Sequence, residues 1–141
     1  MYTSDIDANS KPALKTVLVY LLVSLFCVLF GAVYELFGHG VYSYFMIYAF
    51  VFPLAGGTLP FFLLGLARVK KYPRASARRL YHSGIAALTV GSVIRGVLDI
   101  YGTANSLTAV YWAAGGVFIV SGAAVYLIQS FGRGFLSRRQ D

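Results

Sequence analysis

Residues 16–38 read TVLVYLLVSLFCVLFGAVYELFG, and this stretch holds a single charged side chain, Glu35. Three more stretches of the same character follow it, at Tyr44–Ala67, Leu80–Tyr101 and Leu107–Phe131. Each is long enough to cross the ~30 Å hydrocarbon core of a bilayer as an α-helix. Their polarity does not alternate as it would in the strands of a membrane barrel. The sequence therefore predicts an all-α integral membrane protein with four transmembrane helices.

Composition supports this class and predicts a single membrane domain. The 141 residues are 58% hydrophobic and only 12% charged, which leaves too few charges to cover a soluble globule of this size. Asp5 and Asp7 precede the first lysine, and the first apolar stretch is longer than the core of a signal peptide. We therefore expect the first stretch to stay in the membrane.

The placement of the basic residues predicts the orientation of the chain. Eleven of the twelve flank the spans on one side of the even-numbered bundle: Lys11, Lys15, Arg68, Lys70, Lys71, Arg74, Arg78, Arg79, Arg133, Arg138 and Arg139. The positive-inside rule then predicts a multi-pass protein of the cell membrane with both termini and the middle loop in the cytoplasm.

The same basic residues indicate a partner. Anionic lipid head groups suit the charges between the second and third spans, namely Arg68, Lys70, Lys71, Arg74, Arg78 and Arg79. Nucleic acid does not, because no stacking aromatic residues accompany these charges on a soluble surface.

The two halves of the chain share a short pattern. With a shift of 64 positions, Glu35 aligns with Asp99 and Gly38 with Gly102, within the consensus V-x-[ED]-[LI]-[FY]-G. This predicts an internal repeat of two tandem helical hairpins in one orientation, related by an axis along the membrane normal. Hairpin A, a basic loop, hairpin B and a basic tail would occupy about 15–68, 69–79, 80–131 and 132–141.

Arg95 is the strongest functional signal in the sequence. It lies about 10 Å from the outer end of its helix at 1.5 Å per residue, which is too deep for a loop charge. An ionisable side chain inside the membrane is costly and indicates a functional site. We expect Arg95 to contact Asp99, one turn further on, and Glu35 to close the cluster from the first span. Two acids and one base could leave a carboxylate for a proton, cation or amine. Alternatively, the cluster only holds the two halves together.

His39 extends this candidate site, because it stands four residues after Glu35 and a His/Glu/Asp trio can bind a divalent ion. Gly38 and Gly40 should end the helix beside it, however, which removes the fixed geometry that a metal needs. His82 lies at the other end of its span, ~30 Å away, so the two histidines cannot share a haem or a metal. We expect His82 to contact lipid phosphate or the neighbouring region of Arg78 and Arg79, and we predict neither a metal nor a cofactor.

The second span carries two prolines that bracket a glycine pair: Pro53, Gly56, Gly57 and Pro60. Proline removes a backbone donor and clashes with the preceding turn, so we predict that this helix is bent or unwound there. Its freed carbonyls would need partners inside the bundle or in a water-filled cavity. A simple packing kink is the alternative.

Two functions are compatible with these features. The first is a small transport or channel-like protein, working as a homo-oligomer, with an outer-facing site of Glu35, Arg95 and Asp99 and the broken second helix along the path. The alternative is a non-catalytic membrane subunit of a larger complex, which the small-residue helix faces and the basic surface also suit. An enzyme is not predicted, because no nucleophile–base pair and no phosphate-binding loop are recognisable. A cavity that reaches the carboxylates would favour transport, whereas an arginine that only fills space would favour the subunit.

Overall fold

The computed structural model describes residues 2–66 and 74–139, with side chains described for 13–66, 74–132, 135, 138 and 139. The described residues are helical and contain no β-strand. The elements are α1 (Tyr2–Phe37), α2 (Tyr44–Ile47), a π-helix (Phe52–Thr58), α3 (Leu59–Leu66), α4 (Ala75–Ile100) and α5 (Thr108–Arg138). Arg68, Lys70 and Lys71, predicted to meet lipid head groups, lie outside the described residues.

Four segments are long and apolar enough to cross a membrane: Ala13–Phe37, Tyr44–Leu66, Ala75–Ile100 and Thr108–Gly132. The predicted all-α class with four membrane-length helices is therefore confirmed. The second of these segments, called the second span below, consists of α2, the π-helix and α3.

The helices pack in series, with α4 and the second span at the centre. α1 packs on the second span, and α5 packs on α4. Among the described residues, no Cα atom of α1 comes within 8 Å of one in α4 or α5. The predicted repeat axis would relate α1 to α4 and the second span to α5. The contact of the second span with α4 would then have a counterpart between α5 and α1, and the described residues show none. The predicted repeat axis gains no support from these contacts and stays a prediction.

α1 packs through a seam with alternating spacings of three and four residues, the pattern of coiled-coil packing. Its buried residues are Ala13, Val17, Tyr20, Ser24, Cys27 and Gly31. The opposite face of α1 exposes leucine, valine and phenylalanine side chains, as suits a helix in contact with lipid.

α4 and α5 approach each other much more closely, through glycines. Ala77, Gly84 and Gly91 recur every seven residues along α4 and all three are buried. A Cβ atom at Gly84 would lie 2.8 Å from the backbone nitrogen of Ile119 and 2.9 Å from the carbonyl oxygen of Gly115. A larger residue at position 84 would therefore push the two backbones apart, because backbone atoms cannot rotate away as a side chain can.

The two acidic helix endings of the repeat pattern close differently. α4 ends in a Schellman motif, with Gly102 at φ 72° and the Thr103 amide donating to the carbonyl of Leu98 at 2.9 Å. After α1 the positive φ values fall later, on His39 (53°) and Gly40 (87°). Gly102 therefore ends its helix in a left-handed conformation, whereas the aligned Gly38 does not.

The second span has a π-helix at Phe52–Thr58, which contains Pro53 and ends two residues before Pro60. Pro60 has no amide hydrogen, so it cannot donate to the carbonyl four residues earlier, that of Gly56. The hydroxyl of Tyr81 in α4 donates to this carbonyl instead. At the other end of the span, the hydroxyl of Ser92 donates to the carbonyl of Phe45 at 2.6 Å. Side chains of α4 therefore satisfy backbone groups that the irregular span leaves open.

Candidate functional site

The carboxylate of Asp99 is the centre of the candidate site. Its Oδ1 lies 3.1 Å from Nε of Arg95, one turn earlier on α4. Its Oδ2 accepts a hydrogen bond from the hydroxyl of Ser43 at 3.0 Å. Ser43 is buried just before α2, so the carboxylate joins the arginine of one helix to the start of the second span.

Arg95 is held on two sides. Its guanidinium carbon lies 5.6 Å from the ring centroid of Phe45 in α2, a cation–π distance. Nε has no hydrogen-bond partner among the described residues, so its contact with Asp99 is a close ion pair without hydrogen-bond geometry. The side chains of Arg95 and Asp99 are 32% and 28% exposed, which screens the pair in part.

The structure does not bring Glu35 into this cluster. Within the described residues Arg95 pairs with Asp99 and not with Glu35, whose Oε1 is buried and lacks a hydrogen-bond partner. His39 is exposed in the turn after α1. No group of three histidine, cysteine, aspartate or glutamate side chains in the described part of the chain converges as a metal site would require.

Met46 of α2 lies between α1, which carries Glu35, and α4, which carries Arg95 and Asp99. It is 1% exposed and lies between a glycine of α1 and a glycine of α4. A Cβ atom at Gly31 would lie 3.2 Å from the carbonyl oxygen of Met46, and one at Gly96 would lie 2.8 Å from its Cβ atom. α1, α2 and α4 are thus packed tightly at this level.

A second polar cluster, at the basic end of the bundle, could not be read from the sequence. The hydroxyl of Tyr20 in α1 forms a hydrogen bond with Nδ1 of His82 in α4. The ring of Phe61 stacks on both, at centroid distances of 6.1 Å and 5.1 Å. Counting the seam of α1 in steps of three and four would select Tyr20 as inward-facing. No sequence signal, however, pairs it with His82, for which a lipid contact was predicted.

Among the described residues, the cavities between the helices include three of several hundred Å³. The largest of these three, about 520 Å³, lies at the end of the bundle opposite the basic residues, which is the outer end in the predicted orientation, and is lined by Tyr34, Phe37, Gly38, His39, Ile100 and Tyr101. A cleft of about 480 Å³ separates α1 from α4 at the basic end, and one of about 390 Å³ lies between α3 and α5. None of these three is lined by Glu35, Arg95 or Asp99.

Comparison of the chain with protein-family models, with curated proteins and with solved structures finds no match. Its function is therefore argued from its own residues.

Proposed function

We propose that this protein is a non-catalytic membrane subunit, which assembles in the bilayer with a transmembrane helix of a second chain. One observation carries the proposal: the charged pair is used to hold the chain's own second span. Asp99 binds Ser43, and Arg95 covers Phe45. Both of these contacts lie within the chain, which supports an internal structural role of the pair over a polar path.

The outward side of α5 is the surface best suited to a partner helix. Small residues recur there at helical spacing, at exposed Ala109, Ala113 and Ala124 and at half-buried Gly116. A Cβ atom at Gly116 would meet nothing within 4 Å, whereas Gly115 beside it is packed against Leu88 of α4. Lipid makes no demand for small side chains, but a partner helix does, because small residues let two backbones approach.

Cross-linking in cells tests this assignment. A photo-cross-linking residue at Ala113 should give one discrete protein product, whereas the same residue at exposed Phe118, about 140° around α5 from Ala113, should give none. A Gly116→Cys variant in a Cys27→Ser background distinguishes the partners, since disulfide-linked dimers identify a second copy of this chain. If neither Ala113 nor Gly116 yields a protein adduct, the subunit assignment is wrong.

Orientation is part of the same proposal. The charge bias supports a cell-membrane protein with cytoplasmic termini. In the Cys27→Ser background, Ala104→Cys should react with an impermeant maleimide added outside intact cells, and Ala75→Cys should react only after lysis. Labelling of position 75 from outside would overturn the orientation.

Transport is the second candidate, and Glu35 supports it. An orphaned buried carboxylate oxygen suits a proton or a cation, and the neighbouring Tyr34 and Gly38 line the outer cavity. Met46 would then be the constriction on a route between α1 and α4. Proteoliposomes should carry a proton or monovalent-cation flux that Glu35→Gln abolishes. Equal leakage from wild-type and Glu35→Gln vesicles would rule this candidate out.

A further inference from the structure

The cleft between α1 and α4, called the basic-end cleft below, changes character along its length. Four of its polar lining side chains, Lys15, Thr16, Tyr20 and His82, lie toward the basic end, and the fifth, Thr89, lies further in with its hydroxyl donating to the carbonyl of Ile85 in its own helix. Further in, valine and alanine side chains dominate, and Pro53 of the π-helix contributes to the wall. The cleft opens sideways to lipid, since Val19, Ala86 and Val90 on its walls are exposed.

The depth of the cleft matches one leaflet of a bilayer. On α1 it ends at Val23, ten residues into the span that starts at Ala13, or ~15 Å at 1.5 Å per residue. On α4 it ends at Val90, fifteen residues or ~22 Å from Ala75 at the basic end and ten residues or ~15 Å from Ile100. Both ends therefore fall near the centre of a ~30 Å hydrocarbon core.

A side-chain bridge sets the width of the cleft. The described Cα atoms of α1 and α4 stay more than 8 Å apart, and the Tyr20–His82 hydrogen bond links the two helices across the gap. Phe61 supports this bridge from the second span by stacking on both rings. The space is therefore part of the packed structure rather than a gap that closes freely.

The basic side chains at the mouth of the cleft favour an anionic occupant. Lys15 stands at the level of the head groups, and Arg78 and Arg79 follow the start of α4 at the same end. The two acidic side chains described within the spans, Glu35 and Asp99, lie at the opposite end. An anionic group is favoured here by about 1 kcal/mol for each nearby basic residue.

We propose that the basic-end cleft binds one acyl chain of an anionic glycerophospholipid from the leaflet at that end, with the lipid phosphate at the Lys15 ammonium. The valine and alanine walls contact the chain, and Tyr20 and His82 lie between the chain and the head group. The lipid then takes the place of helix contact along the seam where α1 and α4 do not meet.

Native mass spectrometry of the full chain in mild detergent tests this site. The probes are dioleoylphosphatidylglycerol and dioleoylphosphatidylcholine at matched concentrations. Wild type should retain one phosphatidylglycerol in preference to phosphatidylcholine. Lys15→Gln should lower the phosphatidylglycerol affinity about fivefold and the phosphatidylcholine affinity less, because the choline ammonium offsets the charge of that lipid's phosphate. Arg74→Gln, which removes an exposed charge at the same end outside the cleft, should keep the preference.

Filling the cleft is the second arm. Ala86→Phe should abolish retention of both lipids, whereas Ala32→Phe, at an exposed position of α1 outside the cleft, should not. Val90→Phe fills the same space one turn further in, and replaces Ala86→Phe if that variant does not fold. The proposal is overturned if Lys15→Gln keeps the wild-type preference, if Arg74→Gln weakens it equally, or if the filled variants still retain the first lipid.

Discussion

The two hairpins of this protein use glycine and proline in opposite ways. In the α4–α5 hairpin glycines occur without proline, and two regular helices pack with their backbones nearly in contact. In the first hairpin Gly56 and Gly57 lie between Pro53 and Pro60, and the second member is a short helix, a π-helix and a second short helix. Glycine alone lets helices approach, whereas glycine with proline opens the backbone and creates a need for outside donors.

α4 provides a close-packing surface on one face and hydrogen-bonding side chains on the other. Its glycine face packs on α5 at Gly84 and Gly91. Its other face presents Tyr81, Ser92 and Asp99, each of which makes a hydrogen bond to the irregular first hairpin. α4 is therefore the element on which the rest of the fold depends.

The largest effect is expected in the glycine seam. Gly84→Val places side-chain atoms against the backbone of Ile119 and Gly115, and should lower the free energy of unfolding by about 3 kcal/mol or prevent folding. Gly116→Val on the outward side of the neighbouring helix is the matched control and should change stability by less than about 0.5 kcal/mol. Thermal unfolding followed by size-exclusion chromatography in detergent measures both. Equal losses for the two variants would remove the distinction between the faces of α5.

The charged pair should come next. Arg95→Ala and Asp99→Ala each leave a partly buried charge without its partner, and should cost about 2 kcal/mol after allowance for solvent screening. Glu35→Ala should be close to neutral, because the Oε1 atom that it removes has no partner. The same unfolding assay decides the order. If Glu35→Ala is as unstable as the other two variants, Glu35 contributes to the charged cluster and the prediction is wrong.

A smaller effect is expected where α4 supports the π-helix. Tyr81→Phe removes the donor to the Gly56 carbonyl while keeping the ring that packs on Phe61, and should cost about 1 kcal/mol. Tyr48→Phe in the same span, where the tyrosine is mostly exposed, is the control and should cost less than about 0.5 kcal/mol. Similar losses in both would mean that the hydroxyl of Tyr81 does not support the irregular span.

The sequence predicted the spans well, because the length and hydropathy of an apolar run determine whether it can cross a membrane, whatever it packs against. The position of the irregular segment was also open to prediction, since Pro53 and Pro60 act on their own backbone. Partners across helices were less accessible. Spacing within one helix identified Asp99 as the partner of Arg95. The grouping of Glu35 with these two residues came from an alignment of two halves that pack differently. Ser43, Ser92 and the Tyr20–His82 bridge depend on how the helices are placed side by side, which no periodicity within one helix encodes.

The central claim is that the charged pair of α4 holds the first hairpin in place, and a double-mutant cycle across the Ser43–Asp99 contact tests it most directly. Ser43→Ala, Asp99→Ala and the double variant are compared with wild type by their free energies of unfolding in detergent. Since the hydroxyl donates to the carboxylate at 3.0 Å, the cycle should give a coupling of about 1 kcal/mol, so that the double variant loses less than the two single losses together. Strictly additive losses, with no coupling between positions 43 and 99, would contradict the account.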